Sequence, residues 1–125
     1  MATRTKVYFD GGARPNPGKI EVAVFAKGQA TIRRDLGTGG NGDAEWLALI
    51  EGLIVAQGLG LEDFVLLGDA SNVVAKANGK MKCRDADAPY LERFRALAGE
   101  TVPRVRYIKR FQNLAGIALQ QTHDR

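Results

Sequence analysis

The chain has 125 residues, a formal net charge of +4, one cysteine and one histidine. A single cysteine excludes an internal disulfide and a cysteine-rich zinc site, and one histidine leaves little scope for histidine-based metal or nucleophilic chemistry. No apolar run reaches the ~18 residues of a membrane helix, and the N-terminal residues lack the apolar region of a signal peptide. We therefore expect one domain spanning residues 1–125, monomeric, cytoplasmic and without a membrane partner.

The first half of the chain predicts three strands, a long helix and a fourth strand. Residues 5–10, 20–27 and 29–34 alternate or run apolar and read as two successive hairpins. A Gly-rich loop then leads to Asp43, a suitable N-cap for a helix over residues 43–57, whose apolar side chains recur at helical spacing. A continuous apolar run follows at residues 64–69 and is typical of a buried parallel strand.

The second half predicts two short helices, a last strand and a last short helix. The first two helices span residues 71–78 and 88–99, the strand spans 104–110, and the last helix spans 113–121. The order βββαβααβα is typical of an α/β fold with a mixed sheet and helices on its faces.

Charge is unevenly distributed along the chain. Residues 76–110 carry ten Lys or Arg against four Asp or Glu, whereas residues 1–75 carry seven against nine. A basic half beside an acidic half suggests a polyanionic partner held near a separate group of acids. A solvated surface without a partner explains the charge equally well.

Three acids lie at the ends of predicted elements. Asp10 ends the first strand, Asp69 ends the fourth, and Glu45 falls in the first turn of the long helix. Ligands of open α/β sheets bind beyond the carboxyl ends of parallel strands, so Asp10 and Asp69 could converge there. Carboxylates without His or Cys suit hard cations such as Mg²⁺ or Mn²⁺, and a pair of such ions can drive phosphodiester hydrolysis.

Each acid also has a purely structural interpretation. Asp69 could cap the helix that begins near Ser71, Glu45 could favour the helix dipole, and Asp10 could organise the turn that follows it. Spacing alone leaves these alternatives open.

Four segments together resemble the ribonuclease H family, type 1, in its short bacterial and archaeal form. They read "YFDGGARPNPG", "NGDAEWLALIEGL", "LLGDASNVVAKANG" and "RYIKRFQN", and they stand in family order from about Lys6 to Leu119. The resemblance implies a ribonuclease H-like fold, a five-stranded mixed sheet flanked by helices, with its first three strands antiparallel. It also implies metal-dependent endonucleolytic cleavage of the RNA strand of RNA/DNA hybrids, leaving 3′-hydroxyl and 5′-phosphate ends.

The resemblance implies a role for particular residues. Asp10, Glu45 and Asp69 match catalytic metal ligands that hold two Mg²⁺ or Mn²⁺ ions. Asn16 matches a residue that holds a DNA-strand phosphate, and Asn41 one that reads the minor groove. The two glycines after Asp10 would let backbone approach a ribose 2′-hydroxyl. The basic charge beside the third segment separately predicts backbone contacts, although a solvated helix end and loop explains it equally well. The expected substrate contacts are Gly11, Gly12, Asn16, Asn41, Lys80, Lys82, Arg84 and Arg110.

The sequence departs from the family pattern at the last helix. When Asn113 and Leu119 are aligned, the fourth acid position falls on Ile117, which cannot be a ligand. A slipped alignment would instead bring Asn113 toward the site as a neutral ligand. The chain is therefore expected to be a nuclease with three acids. The alternatives are a non-catalytic nucleic-acid-binding module, and a protein-interaction domain without salt-dependent affinity for nucleic acid.

Overall fold

The computed structural model describes residues 4–123. Within them, strands β1 to β6 span Thr5–Arg14, Gly18–Ala26, Gln29–Arg33, Thr38–Gly39, Phe64–Gly68 and Arg104–Tyr107. Helices α1 to α4 span Asn41–Gly58, Ser71–Ala77, Ala88–Ala98 and Leu114–Gln121. Single 3₁₀ turns lie at Asp85–Asp87 and Arg110–Gln112. None of the helices in this part of the chain is long and apolar enough to cross a membrane.

The strands form one mixed sheet in the order β3-β2-β1-β5-β6, with the two-residue β4 paired to β2. β1, β2 and β3 are antiparallel, whereas β5 runs parallel to both β1 and β6. This topology confirms the predicted α/β class and the mixed sheet with three antiparallel strands first. β4 was not predicted, because two residues inside a Gly-rich loop carry no strand pattern of their own.

Helices cover the two faces of the sheet unequally. The main core lies on the face covered by α1, where Val7, Phe9 and Leu66 of the strands pack with Leu49 and Leu53 of the helix. A smaller cluster lies on the other face, where Ala115 and Leu119 of α4 pack against Ala23 of β2. The opposite orientations of successive strand residues decide this division, because Phe9 faces α1 and its neighbours in β1 face α4.

The first strand is longer than predicted. The sequence indicated a strand over residues 5–10 followed directly by a turn, but β1 continues through Arg14, and only residues 15–17 form the turn. Residues 11–14 pair with residues 22–19 of β2, which satisfies their backbone hydrogen bonds. Gly11 and Gly12 weaken the strand pattern of the sequence, but pairing with β2 keeps residues 11–14 in the sheet.

Two other boundaries differ for local reasons. α1 begins at Asn41 rather than after Asp43, and the Asp43 carboxylate instead accepts a hydrogen bond from the Gly40 N–H at 2.9 Å. β6 ends at Tyr107 rather than residue 110, and the chain then makes a 3₁₀ turn before Asn113 caps α4.

Candidate active site

The topology brings the three acids of the sequence analysis to one cleft. Pairing between β1 and β5 ends at Tyr8 and Leu67, so Asp10 emerges just beyond the last parallel contact. Asp69 directly follows β5, and Glu45 lies in the second turn of α1, which packs across β1. All three line an open cavity of about 810 Å³ together with Arg110. The cleft thus lies beyond the carboxyl ends of two parallel strands, where open α/β sheets bind ligands.

The structural interpretations of these acids do not fit their surroundings. The N-cap of α2 is Ala70 rather than Asp69, and no side chain at the N-cap accepts a hydrogen bond from the first turn of this helix. The acid in the first turn of α1 is Asp43, and Glu45 lies two residues further along, at the start of the second turn rather than in the predicted first turn. Asp10 lies within a strand, five residues before the turn it was thought to organise.

Burial and the neighbouring carboxylates raise the pKa values of two of the acids, Asp10 and Glu45. Burial, followed by the charge of Asp69, raises the pKa of Asp10 to about 7, with a further contribution from Glu45. Arg110 and the Gly11 N–H act in the opposite direction. The pKa of Glu45 is also raised, by burial and then by Asp69. The cleft therefore concentrates negative charge that its own cations do not neutralise.

The donor set fits a divalent cation by charge and chemistry. Within residues 4–123 no ion pair reaches Asp10, Glu45 or Asp69, and hard cations prefer such carboxylate oxygens. In the observed conformations, no three His, Cys, Asp or Glu side chains of that range are grouped closely enough to hold one ion. The acids therefore line an open cleft, and water or substrate oxygens would have to complete the coordination of a bound ion.

The two glycines after Asp10 serve different purposes. A Cβ atom on Gly11 would lie 2.2 Å from the Ala44 carbonyl oxygen, so glycine is required there for α1 to approach β1. A Cβ atom on Gly12 would meet nothing closer than the Asn41 Oδ1 at 3.8 Å. Both residues line the cleft. Gly12 therefore leaves space that a ligand could use, whereas α1 occupies the space where a Gly11 side chain would stand, and the approach of these backbones to a ribose stays a prediction.

Asn16 and Asn41 connect the β1–β2 turn to the start of α1. The Asn16 Oδ1 accepts the Asn41 backbone N–H at 3.0 Å, and the Asn41 Oδ1 accepts the Ala13 N–H at 2.9 Å. Asn41 lines the cleft, whereas Asn16 lies outside its wall. Within residues 4–123 the amide NH₂ group of neither side chain forms a hydrogen bond, and a phosphate or a base edge is a suitable acceptor for it.

The last helix presents Ile117, and not Asn113, to the cleft. Asn113 is fully buried, its Oδ1 accepts the Ala115 N–H at 3.1 Å, and its Nδ2 donates to the Phe9 carbonyl at 3.0 Å. These bonds commit Asn113 to capping α4 and joining it to β1, so the slipped alignment is wrong. Ile117 lines the cleft and is 41% exposed, so it is not a core residue.

The predicted basic contacts are divided between separate places. Arg110 lies in the cleft, whereas Lys80 lines a different groove beside β6. Lys82 and Arg84 are exposed in the segment between α2 and α3 and do not line the cleft. They remain predicted contacts for a substrate that extends beyond the acids.

Sequence reasoning missed several residues of the cleft wall, namely Arg14, Glu21, Ala70, Tyr107, Gly116, Leu119 and Gln121. A Cβ atom on Gly116 would lie 3.4 Å from the Asp10 Oδ2, which shows how closely α4 approaches that acid. Tyr107 alone gave a usable signal, because it is a large aromatic residue at the exposed end of the predicted last strand.

Comparison with known proteins agrees with this geometry. The profile of the family described as "Reverse transcriptase-like" matches residues 26–122, which is most of the chain. The chain belongs to the reverse transcriptase-like family. Together with the solved structures of ribonucleases H1 described below, this match confirms the resemblance to ribonuclease H type 1 that the four segments indicated.

The relatives of this ribonuclease H-like domain include an archaeal enzyme. The chain is 35% identical over 89 residues to "Ribonuclease HI" of Halobacterium salinarum, a match that covers 67% of this chain and 45% of that protein. The chain therefore spans about half the length of that relative. The crystal structure of RNase H1 from the same archaeon superposes with a TM-score of 0.76 at 29% identity, covering 98% of this chain and all of the other.

A second solved structure contains nucleic acid. It is LC11-RNase H1 in complex with an RNA/DNA hybrid, with a TM-score of 0.80 and 26% identity over 93% of both chains.

Proposed function

We propose that this domain hydrolyses the RNA strand of RNA/DNA hybrids by a divalent-metal-dependent endonucleolytic reaction that leaves 3′-hydroxyl and 5′-phosphate ends. The convergence of Asp10, Glu45 and Asp69 in one open cleft carries the proposal, because none of the three forms an ion pair within residues 4–123 and the pKa values of Asp10 and Glu45 are raised by burial and then by the charge of Asp69. The hybrid bound by LC11-RNase H1 and the name of the Halobacterium relative support this substrate.

Asp10, Glu45 and Asp69 would hold Mg²⁺ or Mn²⁺, two ions during catalysis, which when bound supply an activated water and stabilise the leaving oxygen. The other residues of the cleft position the substrate. Arg110 supplies a fixed positive charge for a phosphate beside Asp10. The open space at Gly12 admits a sugar close to the backbone, and Asn41 offers an amide donor at the same wall.

A direct test of the proposed function is the cleavage of labelled RNA/DNA hybrid in Mg²⁺ and separately in Mn²⁺. The protein is expected to cut only the RNA strand. Asp69→Asn is expected to lower the rate by about a hundredfold or more, because loss of metal-held charge stabilisation costs several kcal/mol. Single-stranded RNA and DNA duplex serve as control substrates. No cleavage in either metal, or equal cleavage by the variant, would refute the assignment.

One observation favours a second candidate, a nucleic-acid-binding module that does not cut. Ile117 places an apolar side chain in the cleft where the family pattern has a fourth acid, and it is exposed enough to face any bound ligand. This module would bind hybrid with the same salt dependence but leave it intact.

Ile117→Asp is expected to tighten Mg²⁺ or Mn²⁺ binding by about tenfold, because each added carboxylate increases the affinity of such a site. Calorimetric titration with metal measures the effect, and hybrid cleavage should increase in parallel. Ile117→Asn is the matched control, since it adds polarity without charge. A gain of the same size in the Asn variant, or no gain in the Asp variant, would show that position 117 does not face the ion.

A further inference from the structure

A second groove lies beside the acid cleft, between the end of α2 and the edge strand β6. It encloses about 410 Å³, and its wall includes Asn78, Lys80, Arg104, Arg106 and Tyr107. Asn78 fixes its width, because the Asn78 Nδ2 donates to the Val105 carbonyl at 2.6 Å and so ties the helix end to the strand. β6 pairs with β5 on its other side, so the groove follows the outer edge of the sheet.

The charged side chains that line this groove are all cations, and none of them is neutralised by an acid of the described residues. Lys80, Arg104 and Arg106 are exposed, and its lining contains no acid. Within residues 4–123 none of these three cations forms an ion pair, whereas Arg4, Arg14, Arg33, Arg34 and Lys76 each pair with a carboxylate. Three uncompensated cations along one groove are an electrostatic match for a polyanion.

The spacing of the arginines suits a chain of phosphates. Arg104 and Arg106 alternate with the buried Val105 and so lie on one face of β6. Strand residues two apart are separated by about 6.8 Å, which is similar to the distance between successive phosphates of a nucleic-acid strand. Arginine also binds phosphate through two parallel hydrogen bonds.

The groove is continuous with the acid cleft. Tyr107 is 54% exposed and lines both cavities, and Arg110 continues the positive charge into the cleft. A nucleic-acid strand lying across the acids would meet the tyrosine ring, on which a base or a sugar can pack, and then the arginines. This continuity favours the nucleic acid over an acidic protein as the occupant.

We propose that the groove formed by Lys80, Arg104 and Arg106 is a phosphate-backbone subsite that holds one strand of the nucleic acid where it leaves the acid cleft. The proposal rests on the proposed function only in requiring that nucleic acid occupies the cleft. The subsite would lengthen the footprint on the substrate and contribute affinity without contacting the reacting phosphate.

The test compares hybrid binding by the double variant Arg104→Gln/Arg106→Gln with binding by Lys27→Gln/Arg93→Gln. The control changes the net charge equally, and its residues are exposed in the β2–β3 turn and on α3, outside the lining of the groove and of the acid cleft. Fluorescence anisotropy without divalent metal measures affinity over a range of salt concentrations. Two hybrids are used, a short one that fills only the cleft and one long enough to reach the groove.

For the long hybrid, the groove variant is expected to lose about tenfold in affinity and to show a salt slope smaller by ~1–2, as expected for one or two lost phosphate contacts. The short hybrid and the control variant should show neither change. Equal losses in both variants, or an unchanged affinity for the long hybrid, would overturn the proposal. So would a groove variant that loses binding to polyglutamate and keeps its hybrid affinity.

Failure of the two proposals can be told apart. If the protein binds the long hybrid through the arginines but cuts nothing, the subsite stands and the nuclease assignment fails. If the protein cuts hybrid and the groove variant binds as well as the parent, the nuclease assignment stands and the subsite fails.

Discussion

Gly11→Ala is expected to lower the free energy of unfolding by about 3 kcal/mol or more, at the upper end of the cost of overpacking. The reason is steric, because the new methyl group would lie 2.2 Å from the backbone oxygen of Ala44, and backbone cannot rotate away as a side chain can. α1 would have to move off β1, and Glu45 would move with it. Urea denaturation followed by circular dichroism measures the loss.

Gly12→Ala is the matched control, since its methyl group would have 3.8 Å to the nearest atom. We expect its free energy of unfolding to stay within about 0.5 kcal/mol of the parent. Equal destabilisation by the two substitutions would mean that loss of glycine in the strand, and not contact with α1, controls the effect.

Asp10→Asn is expected to have opposite effects on activity and on stability. It should remove hybrid cleavage, because it deletes the acid that couples to both Glu45 and Asp69. In EDTA above pH 7 it should also raise the free energy of unfolding by about 1–3 kcal/mol, because each pKa unit corresponds to about 1.4 kcal/mol and Asp10 is only partly buried.

The pH dependence distinguishes this electrostatic cause from a packing effect. The pKa of Asp10 is raised from 3.8 to about 7 in the folded protein, so the folded state holds this proton more tightly between those values. The stability of the parent should therefore fall as pH rises from about 4 to 7 and then level off, and the variant should lack this component. Below pH 4 the two proteins should be equally stable. A stability difference that is constant with pH would contradict this explanation.

Divalent metal should reverse the order of stability. Bound Mg²⁺ or Mn²⁺ stabilises only the folded state, so the Tm of the parent should rise with metal concentration. The Tm of the Asp10→Asn variant should change much less, because its cleft keeps only two acids. Equal metal-induced shifts in both proteins would place the ion elsewhere.

Local pattern was sufficient for most elements of the fold. The helical spacing of Leu47, Ile50, Leu53 and Ile54 predicted α1, and the apolar run at residues 64–69 predicted β5, because both segments bury side chains with the period of their own backbone. The extension of β1 to Arg14 escaped prediction. Its backbone is held by pairing with β2, and the glycines and prolines of the segment suggest a turn when that partner is not considered.

The candidate site likewise combines features that the sequence predicted with features that only the folded chain revealed. Sequence alone determined that Asp69 follows a strand, that Glu45 follows a Gly-rich loop, and that position 117 carries no acid, whereas Asp10 lies within β1 and not at its end. Only the tertiary structure decided that these acids share one cleft with Arg110 and Tyr107, that Asn113 is a buried cap, and that Gly11 is needed for helix packing. The physical reason is that helical and strand periodicity can be read from residues close together in the sequence. Burial, charge coupling and close approach depend instead on segments up to a hundred residues away.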